Sequence, residues 1–125
     1  MTNMNVITLF DMDGTLTLPR KTISNSVIKA VVQLSQITRI GIITGSDFEY
    51  ILEQCGAMFN VGGVSIEDVD LLPCNGTQQF EWDKEHGAWK RVFNISMKEE
   101  LGLLTYKKLV RSILELQSKV ANTNP

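Results

Sequence analysis

Asp11-Met12-Asp13-Gly14-Thr15 sets two carboxylates two residues apart, directly after the apolar run Val6–Phe10. Two acids at the end of a buried strand are costly unless something neutralises them. A divalent cation with oxygen ligands is the natural partner, and a phosphorylated substrate brings one along. Asp11 and Asp13 are the metal ligands this implies. An ionised carboxylate at Asp11 can attack a phosphoryl group and carry it as an acyl phosphate. Asp13 can protonate the leaving oxygen and later accept a proton from the acceptor. Gly14 permits a tight turn whose amides can point at phosphate oxygens, and Thr15 adds a hydroxyl. A calcium loop of the EF-hand kind would need further oxygen ligands and a closing Glu, which Leu16, Leu18 and Pro19 do not supply.

A second polar cluster, Thr44-Gly45-Ser46-Asp47, follows the next apolar run, Ile40–Ile43. Hydroxyls and amides there, at the start of a helix, suit an anion. Such a turn is weak evidence by itself. Its place one strand–helix unit after Asp11 strengthens it.

The first segment, Asp-Met-Asp-Gly-Thr-Leu-Thr after an apolar strand, resembles the signature of the haloacid-dehalogenase superfamily. The resemblance implies Asp11 as nucleophile, Asp13 as acid–base, Mg2+ as cofactor, and Thr44 as a phosphate contact. It narrows at Thr15–Arg20, Ile40–Glu49 and Pro73-Cys74-Asn75-Gly76, which are similar to eukaryotic-type phosphomannomutases. That family's sugar-phosphate arginine corresponds to Arg20. Gly14, Thr15, Gly45 and Ser46 complete the implied phosphate-binding set. Two positions depart from the family: Thr44 stands where Gly is usual, and Cys74 where Glu is usual. The superfamily's lysine and later acidic pair have no counterpart here. Lys84, Lys90, Lys98, Lys107 and Lys108 lack the right context. Three readings follow: a hexose phosphate mutase, a phosphatase of a small phosphorylated substrate, and a non-catalytic remnant.

The elements that must hold these residues read as alternating strands and helices. Val6–Phe10 is expected to be a buried strand of a parallel sheet. Residues 11–23 read as a loop. Asn25 to about Ile37 has helical spacing at Val27, Val31 and Leu34, with Ser24 or Asn25 as cap. Ile40–Ile43 is a second buried strand. A helix follows to Cys55, with Gly56 as its stop. Gly62–Gly63 marks a turn, and Val69–Leu72 a short strand. Glu67, Asp68 and Asp70 read as a solvated acidic loop. Gln79–Trp82 and Trp89–Phe93 flank a hairpin turn containing His86, the single histidine. Trp82 and Trp89 are expected to pair across the strands. A long amphipathic helix spans Met97 to Val120, with Gly102 disturbing its first turn. Ala121–Pro125 is expected to fray.

This order implies an α/β fold with a parallel, Rossmann-like sheet, of the haloacid-dehalogenase type by resemblance. Residues 1–96 would form the core, and 97–125 a helix resembling the start of a cap. Both polar clusters fall at carboxyl ends of strands, where such sheets bind ligands. Composition agrees with a globular domain: 43% apolar, 21% charged. A net charge of −2 gives no basic surplus for nucleic acid. No apolar run is long enough to span a membrane, and no signal peptide is evident, so a cytoplasmic protein is expected. Cys55 and Cys74 fit no zinc or redox spacing and read as buried reduced thiols. The apolar face of the long helix suggests homodimerisation.

Overall fold

The structure is a computed structural model that describes residues 3–60 and 62–123. The chain divides into two compact units, Met1–Asn94 and Ile95–Pro125.

The first unit is built on a five-stranded mixed sheet in the order β1-β2-β3-β4-β5. β1 (Asn3–Asp11), β2 (Thr38–Ile43) and β3 (Val69–Leu72) run parallel. β4 (Gln78–Asp83) and β5 (Ala88–Asn94) extend the sheet antiparallel. The sheet is therefore parallel only in the half that carries the polar clusters. The turn between β4 and β5 is too short for a crossover, so that pair must run antiparallel.

Helix α1 (Asn25–Ser35) begins at Ser24, whose hydroxyl accepts the Val27 amide at 3.4 Å. Its inward face presents Ile28 and Val31. Helix α2 (Phe48–Cys55) begins at Asp47, whose carboxylate accepts the Tyr50 amide at 2.8 Å. Gly56 ends α2 in a right-handed conformation, and a single turn, α3 (Ala57–Asn60), follows at once. Ile40 and Ile42 of β2 and Val69 and Leu71 of β3 are fully buried in one cluster with Ile28, Val31 and Ile51. The continuous apolar runs reflect this enclosed position.

β1 differs from expectation. It stands at the edge of the sheet, and Val6, Ile7 and Leu9 remain 44%, 42% and 52% exposed. An apolar run identifies a strand but does not reveal whether a neighbour lies on each side. Asp70 is a second correction. It lies on β3, only 5% exposed, and its carboxylate takes Arg39 Nη2 at 2.9 Å and Nε at 3.3 Å. Arg39 Nη1 also donates to the Glu67 carbonyl. Two parallel bonds from a guanidinium satisfy an acid that would otherwise be too costly to bury.

The hairpin matches its expectation. Trp82 and Trp89 are register partners, with rings 5.5 Å apart and edge to face. Phe48 stacks on Phe80 at 4.2 Å and meets Trp89 at its edge, tying α2 to the hairpin.

In the second unit, α5 (Met97–Leu101) and α6 (Leu103–Thr123) are separated by Gly102, whose φ of 78° no helix accommodates. Residues 121–123 are helical rather than frayed; Asn124 and Pro125 lie outside the described residues. Leu109, Ile113, Leu116 and Val120 of α6 are all exposed. No helix among the described residues is long and apolar enough to cross a membrane.

Candidate active site

Asp11 and Asp13 are set apart by the residue between them. Met12 is completely buried. β1 ends at Asp11 and the chain turns at Met12, which leaves both flanking carboxylates less buried than Met12 itself. Asp11 is exposed and Asp13 half-buried. Beyond them the chain closes a compact loop on the Met12 carbonyl, which accepts the amides of Thr15, Leu16 and Thr17 at 3.0–3.2 Å. The Gly14 amide donates to the Thr17 carbonyl at 2.7 Å. Gly14 sits at φ 81° with open space where a Cβ would be, so its backbone angle, not crowding, calls for glycine. The amides of Gly14, Thr15, Leu16 and Thr17, in a turn expected to aim such groups at a ligand, are all engaged within the loop itself.

Register places the second cluster beside the first. Asp11 pairs with Ile43, and Ile43 with Leu72. Thr44 and Pro73 are the next residues on β2 and β3. The three parallel strands thus end together, at the edge where α/β sheets bind ligands. Thr44 is 5% exposed, and its hydroxyl accepts the Ser46 amide at 3.2 Å while keeping its own proton to donate. Gly45 and Ser46 lead to Asp47. Because the Asp47 carboxylate caps α2, that helix N-terminus already holds a negative charge. It is less welcoming to an anion than the sequence alone suggests.

Asn75 belongs to this site although the phosphate-binding set inferred from the sequence omitted it. Pro73–Gly76 forms a one-turn element, α4, with Cys74 and Asn75 both left-handed at φ 55° and 59°. The Asn75 amide donates to the Thr44 carbonyl, and that of Cys74 to the Ser46 carbonyl, each at 2.8 Å. A Cβ on Gly45 would lie 3.2 Å from the Asn75 amide oxygen. The signal was present in the Asn-Gly pair following Pro73 at a strand end, since asparagine tolerates left-handed backbone.

Arg20 also has left-handed backbone, at φ 59°, and is exposed. Its amide makes a long contact of 3.5 Å to Asp13 Oδ1. The structure therefore ties Arg20 to Asp13 through the main chain, with its guanidinium in solvent. On the buried side, desolvation pushes the Cys55 thiol up to about 12, and the charge of Asp13 adds to the effect. Cys55 is an inert core group. Cys74 is only partly buried, contrary to expectation, and both thiols are free.

Two carboxylates on one loop, with no salt-bridge partner for either among the described residues, suit a hard divalent cation that keeps most of its water ligands. Asp11 and Asp13 would hold it. Asp83, Glu85 and His86 also gather their ligand atoms within 4.8 Å of one another, but on the hairpin turn. There Asp83 Oδ2 meets His86 Nδ1 at 2.7 Å, and this bond holds the Asp83 carboxyl below its usual range.

Phosphomannomutase 2 of Dictyostelium discoideum is 44% identical over 113 residues, which is 90% of this chain and 41% of that protein. The chain is phosphomannomutase-like in sequence. A phosphomannomutase of Arabidopsis thaliana is 45% identical over 51 residues, covering 41% of this chain and 21% of that protein. One of Spinacia oleracea is 43% identical over 51 residues, with the same coverage. The matched stretches thus span between a fifth and two fifths of these relatives. No family model matches the chain.

Proposed function

We propose that this chain carries the nucleophile half of a phosphomannomutase-like phosphotransferase site of the haloacid-dehalogenase type. The observation that supports this best is the shared edge of Asp11 and Thr44, one residue out of register on adjacent parallel strands. The substrate class is a hexose phosphate. The Asp11 carboxylate attacks phosphorus; an oxygen–phosphorus bond forms as the bond to the sugar oxygen breaks. Asp13 gives its proton to that leaving oxygen. In the return step Asp13 takes a proton from the acceptor hydroxyl, which attacks phosphorus and frees Asp11. Thr44 donates its hydroxyl proton to a phosphoryl oxygen, and Gly45 and Ser46 keep that approach narrow. Gly14 and Thr15 shape the loop, and Arg20 supplies positive charge near the sugar phosphate. Mg2+ held by Asp11 and Asp13 would neutralise negative charge on the phosphoryl group.

The lysine and further acids that the resemblance implies have no counterpart in these 125 residues. Since charge neutralisation is most of phosphoryl-transfer catalysis, the chain by itself is expected to be slow or inactive. One observation favours a phosphatase instead: Thr44, where the mutase family usually has glycine. Water then replaces the sugar as acceptor. Product analysis with a hexose 6-phosphate, Mg2+ and a catalytic hexose bisphosphate separates these readings. A hexose 1-phosphate identifies a mutase and free phosphate a phosphatase. Neither product from a folded chain marks a remnant. The exposed apolar face of α6 is proposed to pair with a second copy, and the protein to be cytoplasmic. Light scattering on the chain and on Ile113→Glu tests the pairing; an unchanged mass would exclude that face.

A further inference from the structure

The turn between β4 and β5 carries three donors that the phosphoryl site does not use. Ligand atoms of Asp83, Glu85 and His86 all lie within 4.8 Å of one another. Register sets them at the other end of the sheet from Asp11. β3 runs toward the Asp11 edge, and its Asp70 and Leu71 pair with Glu81 and Phe80 of the antiparallel β4. β4 therefore runs back from that edge, and its last residue, Asp83, lies beyond the start of β3. The contact of Lys84 Nζ with Glu67, a residue ahead of β3, at 3.8 Å agrees with this placement.

The set is more than a patch of acids, because it contains the single histidine of the chain. Imidazole suits Zn2+, Ni2+ and Cu2+, whereas Mg2+ and Ca2+ take oxygen ligands. Asp83 is already held in place. Its Oδ1 accepts the amides of Glu85 and His86 at 3.0 and 3.2 Å, and its Oδ2 meets His86 Nδ1 at 2.7 Å. Donors bound to one ion at about 2.1 Å stand about 3 to 3.5 Å apart, so Asp83 and His86 have only to open slightly. The exposed Glu85 side chain has to close by no more than about 2 Å. A groove of about 450 Å3, bounded also by Glu81 and Lys90, opens on all three donors and has room for water ligands. Three protein ligands with an open position match the donor count of zinc sites that keep a water. We propose that Asp83, Glu85 and His86 bind a divalent transition-metal ion of the Zn2+ class. His86 Nδ1 and one oxygen from each carboxylate are the ligands, and the proton shared between Nδ1 and Asp83 leaves to solvent. The site is independent of the phosphotransfer reading.

The two tryptophans of the chain, Trp82 and Trp89, both lie in this hairpin, so intrinsic fluorescence reports on its turn. The full chain is titrated with Ni2+, which quenches nearby indoles, in a buffer that binds no metal and with excess Mg2+ to fill oxygen-only sites. Saturable quenching at one ion per chain is expected, with recovery as Zn2+ displaces Ni2+. His86→Ala and Glu85→Ala are each expected to weaken binding by at least about tenfold, a loss that even an indirect partner of a metal ligand causes. Both side chains are exposed, and the bonds that shape the turn come from main-chain amides, so both variants keep the fold. Asp13→Asn and Cys74→Ser are expected to bind Ni2+ as the parent does. The proposal is overturned if quenching does not saturate, or if Zn2+ fails to reverse it. It is equally overturned if either hairpin variant binds unchanged, or if Asp13→Asn or Cys74→Ser abolishes binding.

Discussion

At the scale of single residues, burial decides which acids can do chemistry. Met12 is enclosed, and Asp11 and Asp13 on either side of it are less buried. Asp70 has the same side chain but is held inside by Arg39. Removing one member of that pair leaves the other charge buried and alone. Asp70→Asn is expected to cost about 3 kcal/mol in urea unfolding. A loss below about 1 kcal/mol would show that the pair is solvated. Cys55 gives a pH signature. Its folded value is pushed up to about 12 from 9.0, so the unfolded chain ionises first as pH rises. Its contribution is fully present below pH 9 and is lost between 9 and 12, at about 1.4 kcal/mol per pH unit within that window. Cys55→Ala removes this slope; an unchanged slope would assign it elsewhere. Asp11 and Asp13, from residue type and spacing, and Thr44, from the family resemblance, were assigned to the site, and the register sets the strand ends that carry them side by side. Asp70 was not, because an acidic run reads as a solvated loop, and the guanidinium that pairs with it lies on a different strand.

At the scale of elements, close approaches and backbone angles discriminate between glycines. A Cβ on Gly62 would meet the Met58 Cα at 2.7 Å and its carbonyl oxygen at 2.8 Å. The backbone cannot yield there as a side chain can. Gly62→Ala is expected to cost about 2–3 kcal/mol. At Gly41 a Cβ would meet only the ends of Leu9 and Ile7, both substantially exposed and able to turn away. Gly41→Ala is expected to cost less than about 1 kcal/mol in the isolated chain. Equal losses, measured by thermal unfolding of both variants, would contradict this account of the two contacts. Existence and type of the strands, α1, α2 and the hairpin could be read from hydrophobic periodicity and turn residues. Edge position could not, since Val6–Phe10 has the composition of an enclosed strand. Nor could the antiparallel half of the sheet be deduced until the hairpin was placed next to β3. The left-handed pair Cys74–Asn75 was hidden for another reason: only Asn75 is a residue type that announces that conformation.

At the scale of the whole molecule, the first unit brings the ends of three parallel strands to one edge and leaves the outermost of them bare. Polar groups converge at that edge: one acid at the end of β1 and one in the loop after it, hydroxyls after β2, and an amide after β3. The likeness to phosphomannomutases spans most of this chain but less than half of the longest-matching relative described above. These facts accord with the phosphotransfer site proposed above. The most direct measurement is the position of a phosphoryl group on the protein. The chain is incubated with Mg2+ and a hexose 1,6-bisphosphate, then reduced with borohydride, which converts an aspartyl phosphate to homoserine, and the peptides are sequenced by mass spectrometry. Homoserine is expected at position 11 in the chain and nowhere in Asp11→Asn. Modification of another residue with Asp11 left untouched would contradict the assignment of Asp11 as the nucleophile.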